Sequence, residues 1–160
     1  MAETVKYKTK ITLKHVSGKW LSHFYNGPSD FFPTLRDGNK TEVEFYLASS
    51  QKTEGSVNNG ATIVIKCLEG GMSSYVWMGA FSDSRYVYYH EQKEDKTSWV
   101  ISKEGDGDIR FGDTVTLKNV HYKDEYGFEP VVDGGSSDPY QLLYQTALDK
   151  DAMKFIVHPA

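Results

Sequence analysis

The chain has 160 residues, the length of one domain able to bury about 70% of the surface its unfolded form exposes. Eighteen basic against 22 acidic residues, a net charge of −4, exclude the electrostatic footprint of a nucleic-acid binder, and no apolar run approaches the ~20 residues of a membrane-spanning helix. The single cysteine, Cys67, excludes an intrachain disulfide, and the polar run after Met1 is no secretory h-region, so a cytoplasmic location is the expectation.

Alternating polar and apolar residues predict a first strand from Tyr7 to Leu13, with Lys6, Lys8 and Lys10 along its solvated edge. Val16-Ser17-Gly18-Lys19 breaks it, and Trp20 to Tyr25 resumes as the second arm of a hairpin. Asn26-Gly27-Pro28-Ser29-Asp30 ends that arm. Phe32 to Leu35 and Glu42 to Leu47, divided by the turn residues Asp37-Gly38-Asn39, complete a set of four strands. Ser49 to Gly60 is a polar joining loop. The next strands are Thr62 to Lys66, Ser74 to Met78, Tyr86 to His90 and Ser98 to Ser102, and Lys103 to Gly107 joins them to the last set. That set runs through Thr114 to Asn119, Tyr126 to Val132, Leu142 to Thr146 and Met153 to Val157. Asp138-Pro139, an N-cap followed by proline, leaves a short helix within Tyr140 to Leu148 as an alternative.

The three sets repeat. Ile11-Thr12-Leu13-Lys14 returns as Ile63-Val64-Ile65-Lys66 and Val115-Thr116-Leu117-Lys118, two steps of 52 residues. Each set closes on aromatic-x-aliphatic: Phe45-Tyr46-Leu47, Trp99-Val100-Ile101 and Phe155-Ile156-Val157, at steps of 54 and 56, so the third copy carries extra residues. A unit that cannot bury its own apolar face needs its copies beside it. Three copies of four short strands, over 8–50, 60–106 and 112–160, predict one all-β domain spanning 1–160 and closed on itself, with Leu13, Ile65, Leu117, Phe45, Trp99 and Phe155 in its core.

This pattern resembles a β-trefoil, and Lys14-His15-Val16-Ser17-Gly18-Lys19-Trp20-Leu21 resembles the opening of repeats in fascin-like, amaranthin-type agglutinin and mussel-type lectin trefoils. The resemblance implies a barrel built from one strand pair of each copy and capped by the other pairs. It does not extend to three equal sugar sites. No copy has the Gln-x-Trp of ricin-type trefoils, and His23-Phe24-Tyr25-Asn26-Gly27 stands where mussel lectins have His-Pro-x-Gly-Gly. The paired cysteines of Kunitz-type inhibitors are also missing.

His15, Cys67 and Asn119 follow the repeated lysine in the three copies and form the residue set of papain-like nucleophilic catalysis. Parity instead assigns them to the interior or its rim, which makes Cys67 a slow thiol and the chain no enzyme. The five histidines lack metal-binding spacing, Asn39-Lys40-Thr41 reads as a turn rather than a glycosylated sequon, and the glycine pairs lack a phosphate-cradling context; no cofactor is expected.

Binding through loops is therefore the expected function, with a glycan or glycoprotein as partner. Aromatic faces suit the C–H side of a pyranose, and carboxylates, amides and imidazoles suit its hydroxyls. The candidates are His23, Tyr25, Asn26 and Asp37 in the first copy, Trp77, Asp83, Arg85 and His90 in the second, and Glu129 and Asp133 in the third. Trp20 and Trp99 are expected in the core, while the pattern around Trp77 leaves its face open. Because these positions differ between copies, one or two non-equivalent sites are expected, with a homodimer as one route to agglutination. The alternatives are a protease inhibitor using the segment Val132 to Gln141 and an actin-binding or other protein-interaction trefoil.

Overall fold

Strand formation follows the sequence pattern closely in the computed structural model. It describes residues 2–25, 31–48, 54–68, 75–80, 87–121, 128–132, 141–145 and 153–160, and at 24–25, 31–32, 128–132 and 141–145 the backbone alone. The strands are β1 (Ile11–His15), β2 (Trp20–Tyr25), β3 (Phe31–Arg36), β4 (Val43–Leu47), β5 (Thr62–Cys67), β6 (Trp77–Ala80), β7 (Val87–His90), β8 (Ser98–Ser102), β9 (Thr114–Asn119), β10 (Phe128–Val132), β11 (Gln141–Gln145) and β12 (Lys154–Pro159). Apart from a 3-10 turn at Asp95–Thr97, no helix occurs among the described residues. Gln141–Gln145 is thus a strand and not part of the alternative helix; Asp138-Pro139 lies outside the described residues.

Six strands close a ring. β1 pairs with β12, β12 with β9, β9 with β8, β8 with β5, β5 with β4, and β4 returns to β1, all antiparallel. Closure removes the free edges that an open sheet of these strands would expose. The other six form the hairpins β2/β3, β6/β7 and β10/β11. β2 hangs from β1 through Lys14 opposite Trp20, and β6 from β5 through Lys66 opposite Trp77. The result is an all-β, trefoil-like closed barrel.

Alternate side chains of the ring strands point inward, so Leu13, Ile65, Leu117, Phe45, Trp99 and Phe155 are fully buried in one cluster. The register corrects one equivalence. His15, Cys67 and Asn119 face Phe155, Val43 and Trp99, so Val43 rather than Phe45 occupies the level of the two aromatics. Positions 43, 99 and 155 lie two equal steps of 56 apart. Aromatic type alone aligns Phe45 with Trp99 and Phe155, one inward-facing position out of register; by strand pairing Phe45 belongs with Ile101 and Val157.

Hydrogen bonds write the same threefold order into the segments assigned as joining loops. The N–H of Val5 donates to the carbonyl of Ile109 (2.7 Å), that of Ile109 to Val57 (2.8 Å) and that of Val57 to Val5 (2.8 Å). These three fully buried residues, again 52 apart, form a closed triangle of backbone bonds and belong to the same core cluster. Their neighbours form bridges, Thr4 with Arg110, Lys6 with Ser56 and Asn58 with Asp108. Next in each copy come Lys8, Gly60 and Gly112, whose N–H groups reach Phe45 (3.0 Å), Ile101 (2.8 Å) and Val157 (2.8 Å). All three have positive φ, 60°, 89° and 91°. A left-handed residue cannot continue a strand, so the expected strand from Tyr7 begins at Ile11 instead, and Lys6, Lys8 and Lys10 do not share one strand edge.

Candidate functional site

The repeated lysine fixes an equivalent environment in the first two copies. Lys14 and Lys66, 52 residues apart, each face a tryptophan that starts the next strand, Trp20 on β2 and Trp77 on β6. Both indoles are half-buried. The ring strand on the lysine's other side adds an aromatic edge at matching register: His158 opposite Thr12, and Tyr46 opposite Val64. In the third copy the same level holds Ser102 opposite Thr116. The lysine-tryptophan platform with an aromatic edge is therefore present in two copies, and in the third the edge position holds Ser102.

The two platforms differ in charge. The His158 ring is 5.1 Å from that of Trp20, and the ammonium groups of Lys14 and Lys40 lie 5.2 and 4.0 Å from the indole centroid. Such cation–π contacts at exposed positions contribute about 0.5–1 kcal/mol each. Partial burial, then the fields of Lys14 and Lys40, hold the His158 imidazole below its ordinary pKa. At Trp77, Tyr46 stands edge-on at 5.8 Å and 82°, and Lys93 lies 5.0 Å from the indole centroid. The Tyr46 hydroxyl donates to Glu44 at 3.0 Å; burial, followed by this carboxylate, raises its pKa. A half-exposed indole flanked by charged donors and acceptors can stack on the apolar face of a sugar while its neighbours bind hydroxyls.

Of the residues singled out from the sequence, Trp77 and His90 are brought together as direct partners across β6 and β7. The His90 ring is largely buried, its Nδ1 3.8 Å from the Glu94 carboxylate, and burial lowers its pKa against the opposing effect of Glu94. His23 lies mid-β2, its Nδ1 sharing a 2.7 Å hydrogen bond with the hydroxyl of buried Thr41. Asp37 is highly exposed and 3.6 Å from Lys19, at the Trp20 end of the same hairpin. The backbones of Tyr25 and Glu129 lie on β2 and β10. Asn26, Asp83, Arg85 and Asp133 lie outside the described residues. Trp20, Lys14, Lys40, His158, Tyr46 and Lys93 were not among the sequence candidates. The signal for Trp20 was its register opposite a repeated lysine, masked by the apolar Leu21 beside it.

Other arrangements offer less to a sugar. A surface cavity of about 600 Å³ over Ser102, Lys103, Thr114, Thr116 and Lys154 has no aromatic side chain among its described lining residues. Its Lys103 ammonium is tied to Asp113 at 2.9 Å and to the Asp108 carbonyl at 2.7 Å. His15, Cys67 and Asn119 are all buried, as strand parity requires. Burial pushes the Cys67 thiol up to about 12, with a smaller opposing effect of Tyr89, which leaves almost no thiolate at neutral pH. Among the described residues no group of three His, Cys, Asp or Glu side chains could hold a metal ion. No helix among them is long and apolar enough to cross a membrane.

No protein-family model matches the chain, and no curated protein matches it in sequence. Solved structures do. Lysenin in complex with phosphocholine aligns at 20% identity and a TM-score of 0.67 over 99% of this chain and 47% of its own. A Caenorhabditis elegans protein of unknown function aligns at 12% and 0.74, covering 98% of this chain and 96% of the other. The SDF2-like protein from Arabidopsis thaliana aligns at 16% and 0.69, covering 97% and 94%. The chain spans about half the length of the lysenin chains it matches. At these identities the likeness is one of fold, and it fits the trefoil-like barrel.

Proposed function

We propose that residues 1–160 form a single β-trefoil domain that binds carbohydrate, without catalysis, through two non-equivalent sites centred on Trp20 and Trp77. The observation that supports this reading is the repeated platform: a half-buried indole opposite a repeated lysine, edged by His158 in one copy and Tyr46 in the other. Trp77 and His90 from the sequence set belong to the second site, and Asp37 borders the first. A shallow site of one aromatic platform and a few hydrogen bonds binds in the micromolar to millimolar range, about −4 to −8 kcal/mol. Two sites, or a homodimer, would supply the avidity that agglutination needs. The proposed location is cytoplasmic.

A second reading has its own support at the Trp77 site. Two aromatic walls at 82° with the Glu44 carboxylate behind one of them suit a quaternary ammonium, in the place where the Lys93 ammonium now lies. Lysenin, similar in fold, has been solved with phosphocholine. A glycan array with phosphocholine in parallel, followed by calorimetry on the hits, separates the two. Carbohydrate hits with fewer than three sites, weakened by Trp20→Ala or Trp77→Ala, support the proposal. Binding of phosphocholine alone, at Trp77, favours the second reading.

A further inference from the structure

We infer that the Trp20 site selects acidic sugars, pyranoses carrying a carboxylate, whereas the Trp77 site does not share this preference; the inference rests on the carbohydrate reading above. Three basic groups converge on one indole in a protein whose net charge is −4. Lys14 reaches it from β1, Lys40 from the turn before β4, and His158 from β12. Among the described residues, neither the Lys14 nor the Lys40 ammonium has a carboxylate partner. Lys10 is instead paired with Glu42, Lys19 with Asp37 and Lys103 with Asp113. Asp37, the acid nearest this end of the hairpin, is thereby engaged by Lys19.

Like charges brought together without a counter-ion raise the local potential, and a half-buried setting screens them less than open solvent does. Partial burial first, and after it the fields of Lys14 and Lys40, hold the His158 pKa below its ordinary value. The Lys40 side chain is exposed and its contact with the indole is weak, so it can leave the ring face to a pyranose and close on its carboxylate. Lys14, half-buried beside the ring, holds a second ammonium in place. The Trp77 site lacks this arrangement: Lys66, the counterpart of Lys14, stands opposite Glu44 across β5 and β4, the same carboxylate accepts from the edge partner Tyr46, and the Lys93 ammonium lies 5.0 Å from the indole centroid.

Matched sugars test the inference on the whole chain. Glucuronic and galacturonic acids and N-acetylneuraminic acid are titrated beside glucose and galactose, following the Trp20 indole N–H signal and the His158 ring protons by NMR at low salt. At least one acid should bind at Trp20 tenfold or more tighter than the neutral sugars. Half-molar salt, or Lys14→Gln with Lys40→Gln, should shrink that ratio to within about twofold, while Lys40→Arg preserves it. Binding should also raise the His158 titration midpoint, because the carboxylate offsets the lysine field. An unchanged amide spectrum in the glutamine variants shows that they fold. Neutral and acidic sugars binding Trp20 equally would overturn the inference and leave the carbohydrate reading standing. Inorganic phosphate producing the same shifts at the same affinity would overturn it in favour of a simple anion site. Binding of no sugar at either tryptophan would overturn both.

Discussion

Lys8 occupies, with φ of 60°, the place that Gly60 and Gly112 hold in the other copies, and this makes the threefold order measurable by substitution. A non-glycine residue in the left-handed region costs about 1–2 kcal/mol. Glycine relieves that strain but gives the unfolded chain extra freedom worth about 0.5–1 kcal/mol. Lys8→Gly should therefore stabilise by about 0.5 kcal/mol, within a range of about 0–1.5. Gly60→Ala and Gly112→Ala should each destabilise by about 0.5 kcal/mol, within a range of about 0–1.5, from the same balance reversed. Packing does not confuse the comparison, because a methyl group at Gly60 or Gly112 meets no heavy atom within 4 Å, and the Lys8 side chain is exposed. Each backbone N–H is also held to a ring strand, so φ cannot relax without losing that bond. Urea unfolding with an unchanged m-value is the assay. A Lys8→Gly protein less stable than the parent by more than about 0.5 kcal/mol, or a stabilised Gly60→Ala protein, would refute the reasoning.

Three further outcomes are expected. Leu13→Ala, Ile65→Ala and Leu117→Ala should each cost about 2–5 kcal/mol in chemical unfolding, since all three side chains are fully buried and their loss leaves a cavity. Alkylation of Cys67 by iodoacetamide at pH 7.5 should be far slower in the native protein than in the urea-unfolded chain; comparable rates would revive the catalytic reading. Burial pushes the Asp113 carboxyl up, but the Arg110 N–H and the Lys103 ammonium outweigh it and hold its pKa below the ordinary value. Its stabilising effect is then present above the unfolded carboxylate range and disappears as pH falls through the folded value. Asp113→Asn should lower stability at pH 7, with the gap from the parent closing below about pH 3.8; a pH-independent gap would contradict it.

The barrel was legible where apolar residues keep a strict period. Ile11 to Lys14 and its two successors recur because the same pleat face fills the same core in every copy. The triangle of Val5, Val57 and Ile109 was not legible, since each is one apolar residue between polar neighbours, and a single residue has no period. Its bonds are between backbones, which constrain side-chain type weakly. Phe45 misled for the opposite reason: an aromatic residue stood one inward position from the level that Trp99 and Phe155 hold, and residue type outweighed register. Trp99 was read correctly as core, with its indole N–H donating to the Met78 carbonyl at 2.9 Å. Trp20, beside the equally apolar Leu21, differs from it only through its strand partner, Lys14, which no local pattern reveals. Electrostatic convergence of Lys14, Lys40 and His158 comes from three strands or turns far apart in sequence, so it appears only once the ring is closed.

The three indole N–H signals give the most direct measurement of the central claim. In an NMR titration with a glycan identified on the array, the signals of Trp20 and Trp77 should move with unequal affinities, and Trp99, buried and hydrogen-bonded, should stay fixed as an internal control. Trp20→Ala and Trp77→Ala should each abolish one of the two responses and leave the other. Three sites of equal affinity, or undiminished binding in the double variant, would contradict the account.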